Sequence, residues 1–211
     1  MLFELPKHTI VNKVIPKNAF DEYSNTKQKR IFVDAIERIK WSNKLSTETI
    51  NLPSGEIQEI QIFEIELRKK EKIEVLLELI NKSIPYHIIF ILSYENEVLV
   101  SASKKHSHPT NDNQSVIDWT FSTDWFLNTD NTLQLKLSGT IDRIFSDLCF
   151  QISGKQNLSL PELIKQEEKK KALETEITRL ENAIKKAKQF KEKVELNNEL
   201  QKASEQLNEL Y

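Results

Sequence analysis

Alternating hydrophobic and polar residues predict a long strand at residues 56–68, which we place at the centre of the fold. In its second half apolar and charged residues alternate strictly, whereas upstream Ile60 and Ile62 add apolar side chains on the other side. Because successive side chains of a strand point to opposite faces, we expect one end to be buried on both faces and the other end on one. A turn signal, Pro53-Ser54-Gly55, precedes the strand.

Two amphipathic helices are predicted on either side of this strand. Residues 26–45 place apolar side chains at spacings of three and four, with lysines and arginines between them. Residues 69–83 repeat the pattern with Lys-Glu pairs on the outer face, and Pro85 ends the segment. Residues 1–23 combine apolar anchors with Pro6 and Pro16, so we expect an irregular, partly buried lead-in there.

Further strands are predicted after the second helix. Residues 86–92 are apolar almost throughout, as in a central strand that is covered on both faces. Residues 94–97 then turn the chain into a hairpin partner at residues 98–102. We therefore predict an α+β fold in which a mixed β-sheet is flanked by helices. The order of elements places the strands at 56–68 and 86–92 side by side, connected through the second helix.

The rest of the globular part is predicted to contain a loop, a strand and a helix. Residues 104–115 are polar and predict a flexible loop, in which His106 and His108 lack a third ligand for a metal. Residues 116–126 predict a strand, whose Trp119 and Trp125 are more typical of a core than of base stacking. Residues 133–137 predict a short strand or an extended approach, and residues 141–152 a helix before Gly154.

A helical arm is predicted from Pro161 onward, where no glycine and no further proline occurs. Apolar residues recur every seven positions in two sets that are out of phase by two residues. The phase break, between Ala187 and Leu196, indicates either an antiparallel helical hairpin or one interrupted helix about 75 Å long at 1.5 Å per residue. We therefore divide the chain into a globular α+β domain at residues 1–155 and a C-terminal coiled-coil arm at residues 161–211.

The apolar residues form a seam along the arm, and this seam must be buried whether the arm is a hairpin or one interrupted helix. It packs against the other half of the arm, against a second copy of the chain in a homo-oligomer, or against another protein. The partner-binding residues predicted on this seam are Leu173, Ile177, Leu180, Ile184, Leu200 and Leu207.

Composition excludes several classes of site. The 211 residues include three glycines, too few for a glycine-rich phosphate-binding loop. The single cysteine, Cys149, excludes an internal disulfide and a cysteine-based zinc cluster, and it suits a reducing compartment. No segment approaches the roughly eighteen apolar residues of a membrane span, and the amino terminus lacks a secretion signal. We expect a cytoplasmic protein without membrane contact, metal site or cofactor.

Charge is unevenly distributed, although the formal net charge is only -2. Residues 7–44 carry nine basic and four acidic side chains, whereas residues 45–150 carry nine basic and sixteen acidic ones. A basic front of this kind suits contact with a DNA backbone, although charged faces are usually only solvated. A second group of lysines lies at residues 185–193, where a solvated helix face is the simpler interpretation. The nucleic-acid-binding residues predicted in the basic front are Lys13, Lys17, Arg30, Lys40 and Lys44.

The central strand also carries the sharpest catalytic hypothesis, because Glu64, Glu66 and Arg68 share one of its faces. In restriction-endonuclease-like nucleases an acidic strand residue holds Mg²⁺, and a basic residue two positions later polarises the scissile phosphate. Glu66 and Arg68 have this spacing, and Glu37 is a further candidate ligand. The basic residue is arginine instead of the expected lysine, however, and no aspartate in an earlier turn completes the site. The same spacing is common in ordinary half-buried sheets.

Several stretches together resemble the bacterial domain-of-unknown-function family 4391, over essentially the whole chain. They are residues 12–17, the predicted helix at 32–41 with Lys44 and Leu45, residues 59–67, and Ile84-Pro85-Tyr86. Residues 189–197 are similar to a coiled-coil element common in the same proteins. Arg68 stands where the family usually has lysine.

The resemblance implies a gene neighbourhood with a superfamily 2 helicase and a DNA methyltransferase, in restriction-type defence against phage. It supplies no catalytic residues. We therefore expect a non-enzymatic accessory subunit that docks through its coiled-coil arm onto the helicase or the DNA methyltransferase. The alternative is a magnesium-dependent, restriction-endonuclease-like nuclease subunit that uses Glu64, Glu66 and Arg68.

Overall fold

The fold is described from a computed structural model of residues 2–210, in which the side chains of Asp112 and Asn113, both in the predicted loop, lie outside the description. The chain divides into two compact units, one ending at Gly154 and the other beginning at Lys155. No helix in this described part of the chain is long and apolar enough to cross a membrane.

A mixed sheet forms the centre of the first unit and contains seven strands among the described residues. The strands are β1 (Ile10–Ile15), β2 (Ile36–Ser46), β3 (Glu59–Leu67), β4 (His87–Tyr94), β5 (Glu97–His108), β6 (Asn111–Ser122) and β7 (Phe126–Leu127). The order across the sheet is β1-β2-β3-β4-β5-β6, and β7 pairs with β5. β3 and β4 run parallel, and the other neighbouring pairs are antiparallel. The α+β class is therefore confirmed.

Helices cover both faces of the sheet. The α-helices are α1 (Thr26–Ala35), α2 (Thr47–Ile50), α3 (Glu74–Ser83), α4 (Ile141–Ser153), α5 (Leu160–Lys186) and α6 (Phe190–Asn208). The helices α1 and α3 pack on the face to which Phe63 and Phe90 point, and together they enclose the main hydrophobic core. The helix α4 packs on the opposite face, where the ring of Phe145 lies 4.9 Å from that of His87. Short 3-10 helices occupy Lys7–Thr9, Lys17–Tyr23 and Asn128–Asp130.

The predicted arrangement around the central strand is confirmed. β3 lies between β2 and β4, and its parallel register with β4 runs from Ile60 opposite His87 to Glu66 opposite Ser93. The crossover passes through α3, as predicted, although this helix begins at Glu74 instead of residue 69. β4 and β5 form the predicted antiparallel hairpin.

The prediction of one helix at residues 26–45 is wrong. The helix α1 ends at Ala35, and β2 begins at the next residue. A bulge between Ile36 and Arg38 explains the misleading periodicity. The bulge inserts one extra residue, so that Ile36 and Ile39 point to the same face although they are three positions apart. A bulged strand therefore imitates a helical spacing.

The lead-in is more regular than predicted, because residues 10–15 form the edge strand β1. Asn12 adopts a left-handed conformation with φ of 53°, next to a register shift between Ile10 and Lys13. This irregularity breaks the alternation that would have identified a strand in the sequence. A bulged edge that carries a lysine is also protected against pairing with another sheet.

The prediction of a flexible loop at residues 104–115 is also wrong. This segment forms the end of β5, a tight turn and the start of β6. Strand pairing holds the polar residues in place, and His106 contacts Asp118 at 2.7 Å instead of pairing with His108. Residues 131–138, in contrast, have no regular structure, which agrees with the extended approach predicted at 133–137. α4 confirms the helix predicted at residues 141–152, and Gly154 after it adopts a left-handed conformation.

The second unit is a pair of contacting helices, α5 and α6. Ser159 caps the start of α5 and Pro161 lies in its first turn. The helix ends at Lys186, and three residues later Phe190 begins α6. The ammonium of Lys155, in the segment before α5, donates to the carbonyl of Leu210, two residues after α6. The two helices are therefore antiparallel, and the hairpin form of the two predicted alternatives is the one observed.

Candidate functional site

The carboxylates of β3 face a matching row of cations on β2. In the antiparallel register Glu66 lies opposite Arg38, and Glu64 lies opposite Lys40. Arg38 donates to Glu66 at 2.9 Å, and Lys40 donates to Glu64 at 3.1 Å. We call these two cross-strand pairs the charged ladder. Strand alternation places the ladder on the face of the sheet opposite to Phe63.

Arg68, the third predicted catalytic residue, follows the end of β3. Its backbone amide donates to the carbonyl of Ala35 at 2.8 Å, and its Nε atom donates to Glu37 at 2.7 Å. Glu64 and Glu66 therefore lie along β3 as predicted and Arg68 lies just after it, but each of the three forms an ion pair with a side chain from residues 37–40. Glu37 is the partner of Arg68 and is not oriented toward the two glutamates as an additional ligand.

This geometry suits structural pairing better than metal binding. Among the side chains that the structure describes, no group of three His, Cys, Asp or Glu residues is arranged to hold a metal ion. A divalent cation at the charged ladder would have to displace Arg38 and Lys40 from the carboxylates. A nuclease site, in contrast, needs carboxylates whose oxygens are free to ligate Mg²⁺.

We expect Glu66→Gln to leave the protein folded and to lower the free energy of unfolding by no more than about 1 kcal/mol, because the pair is exposed to solvent. Chemical denaturation measures this change, with Arg38→Gln as the matched variant from the other side of the pair. A magnesium-dependent cleavage of DNA that the wild type shows and Glu66→Gln lacks would contradict the structural role of the charged ladder.

Three of the five predicted nucleic-acid-binding cations are already engaged. Lys40 belongs to the charged ladder. Lys44 pairs at 3.2 Å with the buried carboxylate of Glu59, whose hydrogen bond raises the pKa of the lysine. Lys17 donates to the carbonyl of Ile36, at the junction between α1 and β2. These three ammonium groups therefore have structural partners, and contact with a phosphate would compete with those partners.

The other two predicted cations, Lys13 and Arg30, are exposed, and no ion pair involves them in the described part of the chain. They lie on different elements, β1 and α1. A shallow cavity of about 310 Å³ lies between α1 and the 3-10 helix before it, with Lys29 and Asp21 in its lining. These two residues form an ion pair at 3.5 Å, and Lys17, which also lines the cavity, donates to the carbonyl of Ile36. Among the described residues, three of the five predicted cations therefore have structural partners, and the other two lie on separate elements.

The seam residues of the C-terminal unit lie on α5 and α6, two helices that contact each other. None of the six predicted partner-binding side chains is exposed: Leu180 is buried, and Leu173, Ile177, Ile184, Leu200 and Leu207 are half-buried. Apolar side chains at seven-residue spacing on antiparallel helices cover one another in this way. The second half of the arm therefore provides cover for the seam, which reduces the apolar surface that remains for another chain.

The residues at the turn of the hairpin are different, and sequence reasoning missed them. The side chain of Phe190 is 83% exposed, and that of Val194 is 43% exposed. We call residues 185–194, which include both, the hairpin tip. The phase break in the heptad pattern was the available signal, because a residue at such a break belongs to neither seam.

A buried polar network under α3 was missed as well. The ammonium of Lys105 donates to the backbone carbonyls of Asn81 and Ile84 at 2.7 Å and 2.6 Å. The hydroxyl of Ser115 donates to the same two carbonyls at 2.8 Å and 3.2 Å. Lys105 is only 1% exposed, and burial lowers its pKa to about 7. This network satisfies carbonyls at the carboxyl end of α3, and we assign it a structural role.

Comparison with known proteins gives one match. No curated protein matches the chain, and no solved structure matches it. One family model, described as a domain of unknown function (DUF4391), matches residues 3–207. The match extends from the first strands into the helical hairpin, so the hairpin is part of the family pattern. Because it covers nearly the whole sequence, the chain belongs to the DUF4391 family.

Proposed function

We propose that this protein is a non-enzymatic accessory subunit that docks through its C-terminal hairpin onto a partner protein. The observation that carries the proposal is the hairpin itself, which forms a separate compact unit and ends in an exposed aromatic residue. Its two helices act as an intramolecular coiled coil that presents this end. Exposed apolar groups rimmed by polar residues are typical of interaction sites.

The state of the charged ladder supports the accessory role over the nuclease alternative. Its two carboxylates are bound to Arg38 and Lys40, and a similar pair joins Arg68 to Glu37. In this proposal these pairs fix the register of β2 against β3, which the hydrophobic pattern leaves ambiguous because of the bulge. The protein needs neither Mg²⁺ nor another cofactor for its role.

The class of partner follows from the resemblance to family 4391. Its implied gene neighbourhood includes a helicase and a DNA methyltransferase, and we propose that one of these is the protein bound by the hairpin. The complex would act in the cytoplasm in restriction-type defence against phage. Any contact with DNA then belongs chiefly to the partner, because most cations of the basic front are already paired.

Co-purification tests the proposal. The full chain, carrying an affinity tag on its amino terminus, is expressed together with the helicase and the DNA methyltransferase encoded beside its gene. We expect one of the two to be retained in a fixed stoichiometry after a wash at high salt, because apolar contacts survive salt that screens charges. Elution of the tagged chain without either subunit would refute the proposed function.

A further inference from the structure

The hairpin tip contains the most exposed large hydrophobic side chain among the described residues. Phe190 is 83% exposed, whereas Val14 and Val33, the next in order, are 59% and 58% exposed. Val194 lies one helical turn after Phe190, so the two side chains are on the same side of α6. Together they form a small apolar patch at the end of the hairpin.

The same ten residues carry a concentrated positive charge. They include five lysines and one glutamate in a chain whose formal net charge is -2. One weak ion pair, between Lys191 and Glu195 at 3.9 Å, is the one that involves these lysines in residues 2–210. The cations of the charged ladder, in contrast, each have a carboxylate partner within about 3 Å. The lysines of the tip can therefore interact with solvent or with a partner.

The turn holds this patch in a defined position. Ala187 is 9% exposed, and its backbone amide donates to the carbonyl of Ala183 at 2.9 Å. Phe190 is the first residue of α6, so its backbone is helical. Because the backbone at Phe190 is helical, binding there would cost less conformational entropy than binding through an irregular segment.

We propose that the hairpin tip recognises an acidic protein surface, in which a hydrophobic pocket takes Phe190 and surrounding carboxylates meet the lysines. This inference rests on the proposed function and identifies the docking site and the chemistry of the partner's surface. The partner is the subunit bound by the hairpin in that proposal.

A protein pocket explains the patch better than a nucleic acid does. A single-stranded nucleic acid would stack bases on successive flat rings, but the neighbour of Phe190 on this side is the aliphatic Val194. An aromatic anchor with an aliphatic neighbour inside a polar rim is the usual composition of the centre of a protein interface.

The test uses the full chain and two kinds of tip variant. Phe190→Ser removes the anchor, and Phe190→Leu keeps an apolar side chain there. A charge variant combines Lys188→Glu and Lys191→Glu. Its matched control combines Lys165→Glu and Lys169→Glu, which makes the same change of net charge at exposed lysines of α5 outside the tip. Circular dichroism checks that each variant keeps its helices, as expected for exposed positions.

Binding is measured by titration against the purified helicase subunit, the purified methyltransferase subunit, and single-stranded and duplex DNA oligonucleotides. We expect Phe190→Ser and the tip charge variant each to weaken binding of one protein subunit about tenfold or more. The affinities of Phe190→Leu and of the α5 control should stay within about threefold of the wild-type affinity. Phe190→Leu keeps an apolar side chain for the partner's pocket, and the α5 control leaves the charge of the tip unchanged. The effect of the charge variant should shrink as salt is raised.

The outcomes separate this inference from the proposed function. If a subunit binds the wild type and the tip variants equally, the tip is not the docking site, while the proposed function stands. If neither subunit binds the wild type, both proposals fail. If the tip variants lose affinity for DNA and keep affinity for the protein subunits, the tip is a nucleic-acid contact and the inference is overturned.

Discussion

Lowering the pH from 7 to 4 is expected to reduce the free energy of unfolding by about 3 kcal/mol through His87 alone. His87 is 7% exposed, and its Nε2 atom is buried without a hydrogen-bond partner among the described residues. Burial, followed by the charges of Lys104 and Lys105, lowers the pKa of this imidazole to about 3 from an ordinary value of 6.5. Between these two values the unfolded chain binds a proton that the folded protein excludes. Stability is therefore lost as the pH falls below 6.5.

Chemical denaturation at a series of pH values measures this loss. His87→Leu removes the titrating group. Between pH 7 and pH 4, the free energy of unfolding of this variant should therefore fall about 3 kcal/mol less than that of the wild type. His8→Leu is the matched control, because it makes the same substitution at an exposed histidine. Parallel profiles for wild type and His87→Leu would contradict the buried, neutral state of this histidine.

Raising the pH from 7 to 9 is expected to increase the free energy of unfolding by about 2 kcal/mol through Lys105. Burial lowers the pKa of this lysine to about 7 from an ordinary value of 10.5. Over this range the unfolded chain holds a proton that the folded protein has largely released, so stability rises with pH. The neutral amine still has two N–H groups for the carbonyls of Asn81 and Ile84.

Lys105→Met tests the assignment because it removes the titration and leaves Ser115 on the same carbonyls. The variant should lack the rise in stability between pH 7 and pH 9, whatever its stability at neutral pH. Lys136→Met, at an exposed position, should retain the rise. If Lys105→Met and the wild type gained stability equally between pH 7 and pH 9, the lysine would be shown to remain charged when buried.

The elements that were predicted correctly have long and regular hydrophobic patterns. β3, β4, α4 and the hairpin helices each combine a clear periodicity with a recognisable end, such as Gly154 after α4 or Ser159 before α5. The neighbouring positions of β3 and β4 were predicted from the helix between them, and the structure shows that the two strands are parallel, as is usual for such a crossover. These features depend on residues that are close in sequence.

The errors arise where distant residues determine the local structure. The bulge at Ile36 gives β2 a helical spacing, and only its pairing with β3 makes it a strand. Lys105 belongs to a polar segment, but it can be buried because carbonyls at the end of α3 accept hydrogen bonds from its ammonium. A composition-based reading treats such a lysine as exposed, since lysines are rarely buried without a partner.

The candidate site shows the same division. The row of Glu64 and Glu66 on one face of β3 was predicted from alternation. Its cations were not, because Arg38 and Lys40 were placed on a helix and acquire their partners only through the register of β2 against β3. In the arm, the seam followed from the heptads. The exposure of Phe190, in contrast, depends on the position of the turn. The heptads place the turn between Ala187 and Leu196 but do not identify its residues.

The most direct test of the central claim is a calorimetric titration of the partner subunit with the full chain and with a chain that ends at Gly154. Thermal unfolding first establishes that the shortened chain retains a cooperative transition. We predict binding of the full chain to the helicase or the DNA methyltransferase, and loss of that binding when residues 155–211 are absent. Equal affinity of the two chains for the partner would contradict docking through the hairpin.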